Sequence, residues 1–113
     1  MSKDAAKGLA DILQAISNIE VHLQGKRDFR LFQENITVHS AVERELMIIG
    51  EAVNRLLKTF PEIRITDAKR IVGLRNKMIH EYDIVDDAQL WNIIINHLPT
   101  LKRDATELLG TTE

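Results

Sequence analysis

Apolar residues recur at three- and four-residue spacing along almost the whole chain, and that period calls for helices. Leu9, Ile12, Leu13, Ile16, Ile19 and Leu23 make one stripe, and Val42, Leu46, Ile49, Val53, Leu56 and Leu57 make a second. Ala68, Ile71, Val72, Met78 and Ile79 mark a third, and Leu90, Trp91, Ile94, Leu98, Leu101, Ala105 and Leu108 a fourth. Each stripe buries one helix face, so four helices must pack on one another.

The breaks are readable too. The first helix is expected from about residue 4 to 24, with Gly25 as its stop. Residues 26–36 form a connector, with a turn of helix at 28–34 that tucks Phe29 and Phe32 onto the core. The second helix runs from about 37 to 59, and Pro61 ends it. Gly50 lowers its helix propensity and implies close approach of a neighbouring helix. The third starts at Thr66 or Asp67, either of which can cap it, and fades near Tyr82. The fourth opens on Asp86 with Gln89 three positions on, a capping-box pattern, and Pro99 should kink it. No repeat or low-complexity segment interrupts the pattern. The expected fold is all-α, an antiparallel four-helix bundle with a short extra helix, in a single domain spanning 1–113.

Aromatics are only 4% of the 113 residues, so the core must be aliphatic. There are no cysteines, which excludes disulfides and thiolate metal sites and suits a reducing cytoplasm. No signal peptide and no membrane span are expected. The net charge of −2 gives no global preference for nucleic acid. Locally, Arg64, Lys69, Arg70, Arg75 and Lys77 face a single acid, Asp67, before Glu81, Asp83, Asp86 and Asp87 follow. A basic helix therefore runs into an acidic turn, which charge alone explains equally well as a solvated face.

One run at the end of the third stripe carries chemistry: Arg75-Asn76-Lys77-Met78-Ile79-His80-Glu81-Tyr82. It gathers an arginine, a carboxamide, an imidazole and the chain's only tyrosine. Asn76 and His80 are four apart and share a helix face. Arg75 lies about 100° from Asn76 on an ideal helix. One helix does not close a pocket with these groups, but two copies related by a twofold axis would bring them into one cleft. His22, His39 and His97 lie on other segments and read as surface or capping residues. No metal-binding motif, glycine-rich phosphate loop or serine-nucleophile motif is present, so no cofactor and no metal are expected. What remains is acid–base chemistry on a phosphodiester. RNA carries its own nucleophile in the 2′-OH, imidazole moves protons near neutral pH, and a guanidinium offers paired donors to a crowded anionic phosphorus. Each residue also has a plainer role. Arg75 can pair with Glu81, Asp83 or an acid on another helix. His80 suits a helix C-terminus, and a lone tyrosine often packs its ring and exposes its hydroxyl. Arg44 and Glu51, seven apart on one face, suggest an ion pair or a contact between copies.

The motif resembles the R-x-x-x-x-H signature of the HEPN superfamily, with the usual polar residue after the arginine. The following x-Tyr is similar to HepT-like toxins of HepT–MNT toxin–antitoxin pairs. Residues 41–52, A-V-E-R-E-L-M-I-I-G-E-A, resemble that family's A-V-x-R-x-L-x-I-I-G-E-A helix, and I-V-G-L-R-N at 71–76 resembles its I-x-G-x-R-N lead-in. The resemblance covers about residues 5 to 109. Glu81 stands where a small residue such as Gly is often found, which bears on the local turn. The resemblance implies a homodimeric, metal-independent endoribonuclease toxin that cuts RNA through 2′-OH attack. Arg75 and His80 would be catalytic, with Asn76 and Lys77 supporting RNA binding. Tyr82 would be the hydroxyl that a cognate MNT nucleotidyltransferase antitoxin modifies with AMP. Dimers could join that antitoxin in a larger hetero-oligomer. The rival reading is a non-enzymatic helical subunit that serves as a substrate-binding partner for the nucleotidyltransferase.

Overall fold

A computed structural model describes residues 2–110. Its regular elements are all helical: α1 (Lys3–His22), α2 (Phe29–Glu34), α3 (Ile36–Thr59), α4 (Ala68–His80), a 3-10 turn (Tyr82–Ile84), α5 (Asp87–Asn96) and α6 (Leu98–Gly110). Local chemistry sets the boundaries. The side chains of Ser2, Asp28, Asn35 and Asp86 each accept a backbone N–H three residues on, capping α1, α2, α3 and α5. Gln24 and Gly25 both take left-handed φ angles, 58° and 70°, and the Gly25 N–H closes onto the Glu20 carbonyl.

α3 is the central element. Gly8 of α1 sits against Leu56 of α3, and Asn18 of α1 bonds Glu45 of α3, so the two helices run antiparallel. Gly50 of α3 meets Arg75 of α4, and Glu43 meets Tyr82, so α3 and α4 are antiparallel as well. α6 packs on the side of α1. The core between these helices is aliphatic, as composition requires. It includes Leu9, Ile12, Val42, Val53, Leu90 and Leu101, all essentially without solvent exposure. Among the described residues Glu45 is the buried charged one, and Asn18 Nδ2 donates to its Oε2 at 3.1 Å.

Three expectations need correction. The fourth stripe is two helices, α5 and α6, separated at His97. Pro99 has no N–H to bond back across the junction, so the expected kink becomes a full break. Asp67 stands at the N-cap of α4 but makes no side-chain cap bond. Its carboxylate instead meets His97 Nδ1 at 2.8 Å, while its φ of 59° is one that Asp tolerates better than most residues. His97 is the C-cap residue of α5, one of the two roles expected for it, and its partly buried ring is not on the surface but pins the α4 lead-in to the α5–α6 junction. Thr66 adds a second pin, its N–H donating to Asp104 Oδ2 at 2.8 Å. The extra helix falls where expected, as α2, and delivers Phe32 to a fully buried position.

Candidate active site

The site lies at a close approach of α3 and α4. A Cβ added at Gly50 would come within 2.3 Å of Arg75 Cβ and 2.7 Å of its Cγ. Only a residue without a side chain lets α4 seat Arg75 there. The neighbour expected from Gly50 is thus the candidate phosphate-binding arginine itself.

The seat holds Arg75 while leaving most of its donors uncommitted. Its side chain is 23% exposed. Nη1 donates to Asn76 Oδ1 at 2.9 Å. Nη2 stands 4.0 Å from Glu51 Oε1, at the limit of an ion pair. Nε is buried and bonds no group among the described residues. A guanidinium has five N–H donors in a rigid fork, so this one is positioned but far from saturated, the condition that suits an anionic ligand. Glu51 is thereby relocated. It borders Arg75, and no Arg44–Glu51 pair forms among the described residues.

The other motif residues are placed around this seat, not in it. Asn76 turns its carboxamide oxygen to Arg75 and does not orient His80. His80 is the last residue of α4 and is exposed, and its side chain makes no hydrogen bond or ion pair among the described residues. Lys77 faces elsewhere, lining a groove between α4 and α5 with Arg70, Gly73, Gln89 and Asn92. Within one chain, then, the structure joins Arg75 to Asn76 and, among the described residues, bonds neither of them to the His80 or Lys77 side chain. Glu81 ends α4 at φ −137°, with its N–H on the Lys77 carbonyl, so the turn asks for no glycine conformation.

Tyr82 opens the 3-10 turn and is 58% exposed. Its hydroxyl points at Glu43 Oε1, 3.5 Å away. The Glu43 charge, its hydrogen bond to the phenol, modest desolvation and then the Asp87 charge push the Tyr82 pKa above the ordinary 10.0. Behind Glu43 lies His39, whose Nδ1 is 3.0 Å from Glu43 Oε1 and whose Nε2 is 2.6 Å from Asp87 Oδ1. The His39 ring stacks on Phe32 at 4.7 Å between centroids, and Trp91 stacks on the far side of the cluster. His39 is therefore a half-buried clamp joining α3 to α5, not a surface or capping residue. Its i,i+4 spacing from Glu43 was the available signal. Asp87, far along the chain, gave none. Among the described residues no group of three or more His, Asp or Glu is arranged to hold a metal ion, and no helix is long and apolar enough to cross a membrane.

An all-helical scaffold that seats an arginine–asparagine pair beside an R-x-x-x-x-H helix end defines the class. The profile of the family described as Ribonuclease HepT-like matches residues 12–108, and the chain belongs to that family, within the HEPN superfamily. It is 35% identical to a Methanocaldococcus jannaschii protein named "Putative RNase" over 92% of this chain and 96% of that one. It is 38% identical to a protein of the same name from Caldanaerobacter subterraneus over 72% and 73%. It is 36% identical to a Thermococcus cleftensis protein named "Probable ribonuclease HepT" over 83% and 86%. No solved structure gave a significant match.

Proposed function

We propose that this protein is an endoribonuclease toxin that cleaves RNA without a metal, at a cleft shared by two copies of the chain. The observation that carries the reading is the seat of Arg75, held against Gly50 with Nε unpartnered and only one terminal nitrogen hydrogen-bonded. In the reaction, the RNA 2′-oxygen bonds to the adjacent phosphorus and the bond to the 5′-oxygen breaks. The products are a 2′,3′-cyclic phosphate and a 5′-hydroxyl. Arg75 neutralises the phosphoryl oxygens as charge builds, with Asn76 holding the guanidinium fork. His80 moves protons between the two oxygens. Lys77 and Arg70 extend the basic surface along the flanking strand. That no bond joins the His80 and Arg75 side chains in one chain supports a composite cleft, in which the second copy supplies the missing partner. A cognate MNT nucleotidyltransferase silences the enzyme by joining AMP to the exposed Tyr82. The added phosphate repels RNA beside the cleft.

The test is cleavage of labelled RNA in excess EDTA by wild type, Arg75→Ala and His80→Ala, with end-group analysis and mass measurement of Tyr82. Wild-type cutting to cyclic-phosphate ends, lost in both variants, is the expected result. Unmodified wild-type protein that cuts no RNA would instead leave a docking subunit for the nucleotidyltransferase, which the same exposed Tyr82 also suits.

A further inference from the structure

Tyr82 does not stand alone on its surface. Its hydroxyl is the outer end of a chain of polar contacts that continues to Glu43 Oε1, through both nitrogens of His39, to Asp87 Oδ1. Three elements meet in it: α3 supplies Glu43 and His39, the 3-10 turn supplies Tyr82, and α5 supplies Asp87. The nuclease reading uses none of the three inner residues. Glu43 and His39 are only about one-fifth exposed, 17% and 20% by side chain, so this is a built arrangement and not a chance surface pair. Stacking on Phe32 fixes the His39 ring, with one ring nitrogen facing each carboxylate. Gln33, Ile36 and Ser40 complete a shallow depression around the hydroxyl, and Ile36 is 82% exposed on its rim.

We propose that Glu43 is the base for nucleotidyl transfer to Tyr82, and that His39 and Asp87 position it. This rests on the reading of Tyr82 as the modified residue. Tyr82 Oη attacks the α-phosphorus of a ribonucleoside triphosphate held by the partner transferase. The Oη–P bond forms, the bond from phosphorus to the β-phosphate oxygen breaks, and pyrophosphate leaves. The phenol proton passes to Glu43 Oε1, the oxygen that already faces it. The phenol is held in its protonated form by the carboxylates around it, so the attack needs an acceptor at that position. At 3.5 Å the contact is long, and such bonds commonly shorten when the reacting complex assembles. The modified protein thus brings its own proton acceptor, and the transferase supplies the triphosphate, its orientation and the stabilisation of the leaving pyrophosphate.

The experiment is steady-state transfer from ATP to the full-length chain by its cognate nucleotidyltransferase, followed by intact-mass and peptide mass spectrometry. Wild type should gain AMP on Tyr82, and Tyr82→Phe should gain none. Glu43→Gln should lower kcat by about 100-fold while leaving the KM for the chain within about twofold, because the carboxamide keeps the shape and loses the base. Glu43→Asp should recover part of the loss. His39→Gln should lower kcat by a smaller factor. RNA cleavage by Glu43→Gln should match wild type, which certifies its fold. Equal kcat for wild type and Glu43→Gln, with AMP on Tyr82 in both, overturns the role of Glu43 and leaves the Tyr82 reading standing. A wild-type chain that gains no AMP, or gains it elsewhere, overturns both.

Discussion

Arg75 and Gly50 form a single unit although 25 positions separate them. Gly50→Ala should raise helix propensity by about 1 kcal/mol, yet the new methyl would overlap Arg75 Cγ and also its Cβ, which no rotamer change can move away. The expected outcome is a lower melting temperature and RNA cleavage reduced by about 100-fold, since roughly an ångström of misplacement has that effect. Thermal unfolding beside a cleavage assay checks both, and an Ala variant as active as wild type would sink the idea that this notch sets the arginine. Tyr82 offers a second measurement at this scale. As the chain's only tyrosine, it alone contributes phenolate absorbance. Its titration midpoint should lie above 10.0 in the folded protein and fall toward that value in Glu43→Gln, because Glu43 is the main cause of the shift. The sign for stability follows. The contribution is fully present below the unfolded pKa and is lost as pH rises through the raised folded value. The motif residues themselves were legible in sequence. So was the need for a close neighbour at Gly50, but not its identity, because that depends on how two helices cross. His39 was misjudged because Asp87, the second carboxylate that clamps it, is 48 positions away.

The six-residue α2 contributes far more than its length suggests. It places Phe32 at 0% exposure against His39 on one side and Trp91 on the other. Phe32→Ala should cost about 3–5 kcal/mol, the range for emptying a buried aromatic site. It should also loosen His39, so nucleotidyl transfer to Tyr82 should slow in protein that still cleaves RNA. Denaturant unfolding gives the first quantity, and transfer kinetics on the folded fraction give the second. Unchanged transfer would show that stacking on Phe32 does not hold the clamp. The apolar period makes the helices legible and the Asp86–Gln89 pair marks the start of α5, whereas the caps at Ser2, Asp28 and Asn35 emerge only in the structure. The break between α5 and α6 was only half visible. Pro99 announced a disturbance, but the severed helix is pinned by His97 to Asp67, a contact thirty positions long. Either Thr66 or Asp67 fits a cap of α4 by position, and Asp67 takes the N-cap place without capping by its side chain. The long-range pairing with His97 took its carboxylate instead.

At the scale of the whole molecule, the question is why an enzyme would leave its arginine and histidine unjoined. Within one chain His80 ends α4 without a partner among the described residues, while Arg75 sits back in the α3 notch. A twofold assembly in which Arg75 of one copy works with His80 of the other resolves this, and it can be tested by mixing two inactive proteins. Arg75→Ala and His80→Ala homodimers each lack one half of every catalytic pair. A mixed dimer contains one pair with both halves and one with neither. Random reassociation of equal amounts should therefore restore about a quarter of wild-type cleavage, half of the dimers being mixed and half of their pairs intact. The measurement is RNA cleavage after co-refolding or co-expression, with sedimentation confirming the dimer. Sites completed within a single chain would give no recovery at any mixing ratio, because every chain in the mixture lacks one of the two groups. Under the proposed function, the same assembly would account for silencing by one AMP: Tyr82 follows His80 by two residues, so a nucleotide on either copy would place its charge next to the histidine proposed to work with the partner's arginine.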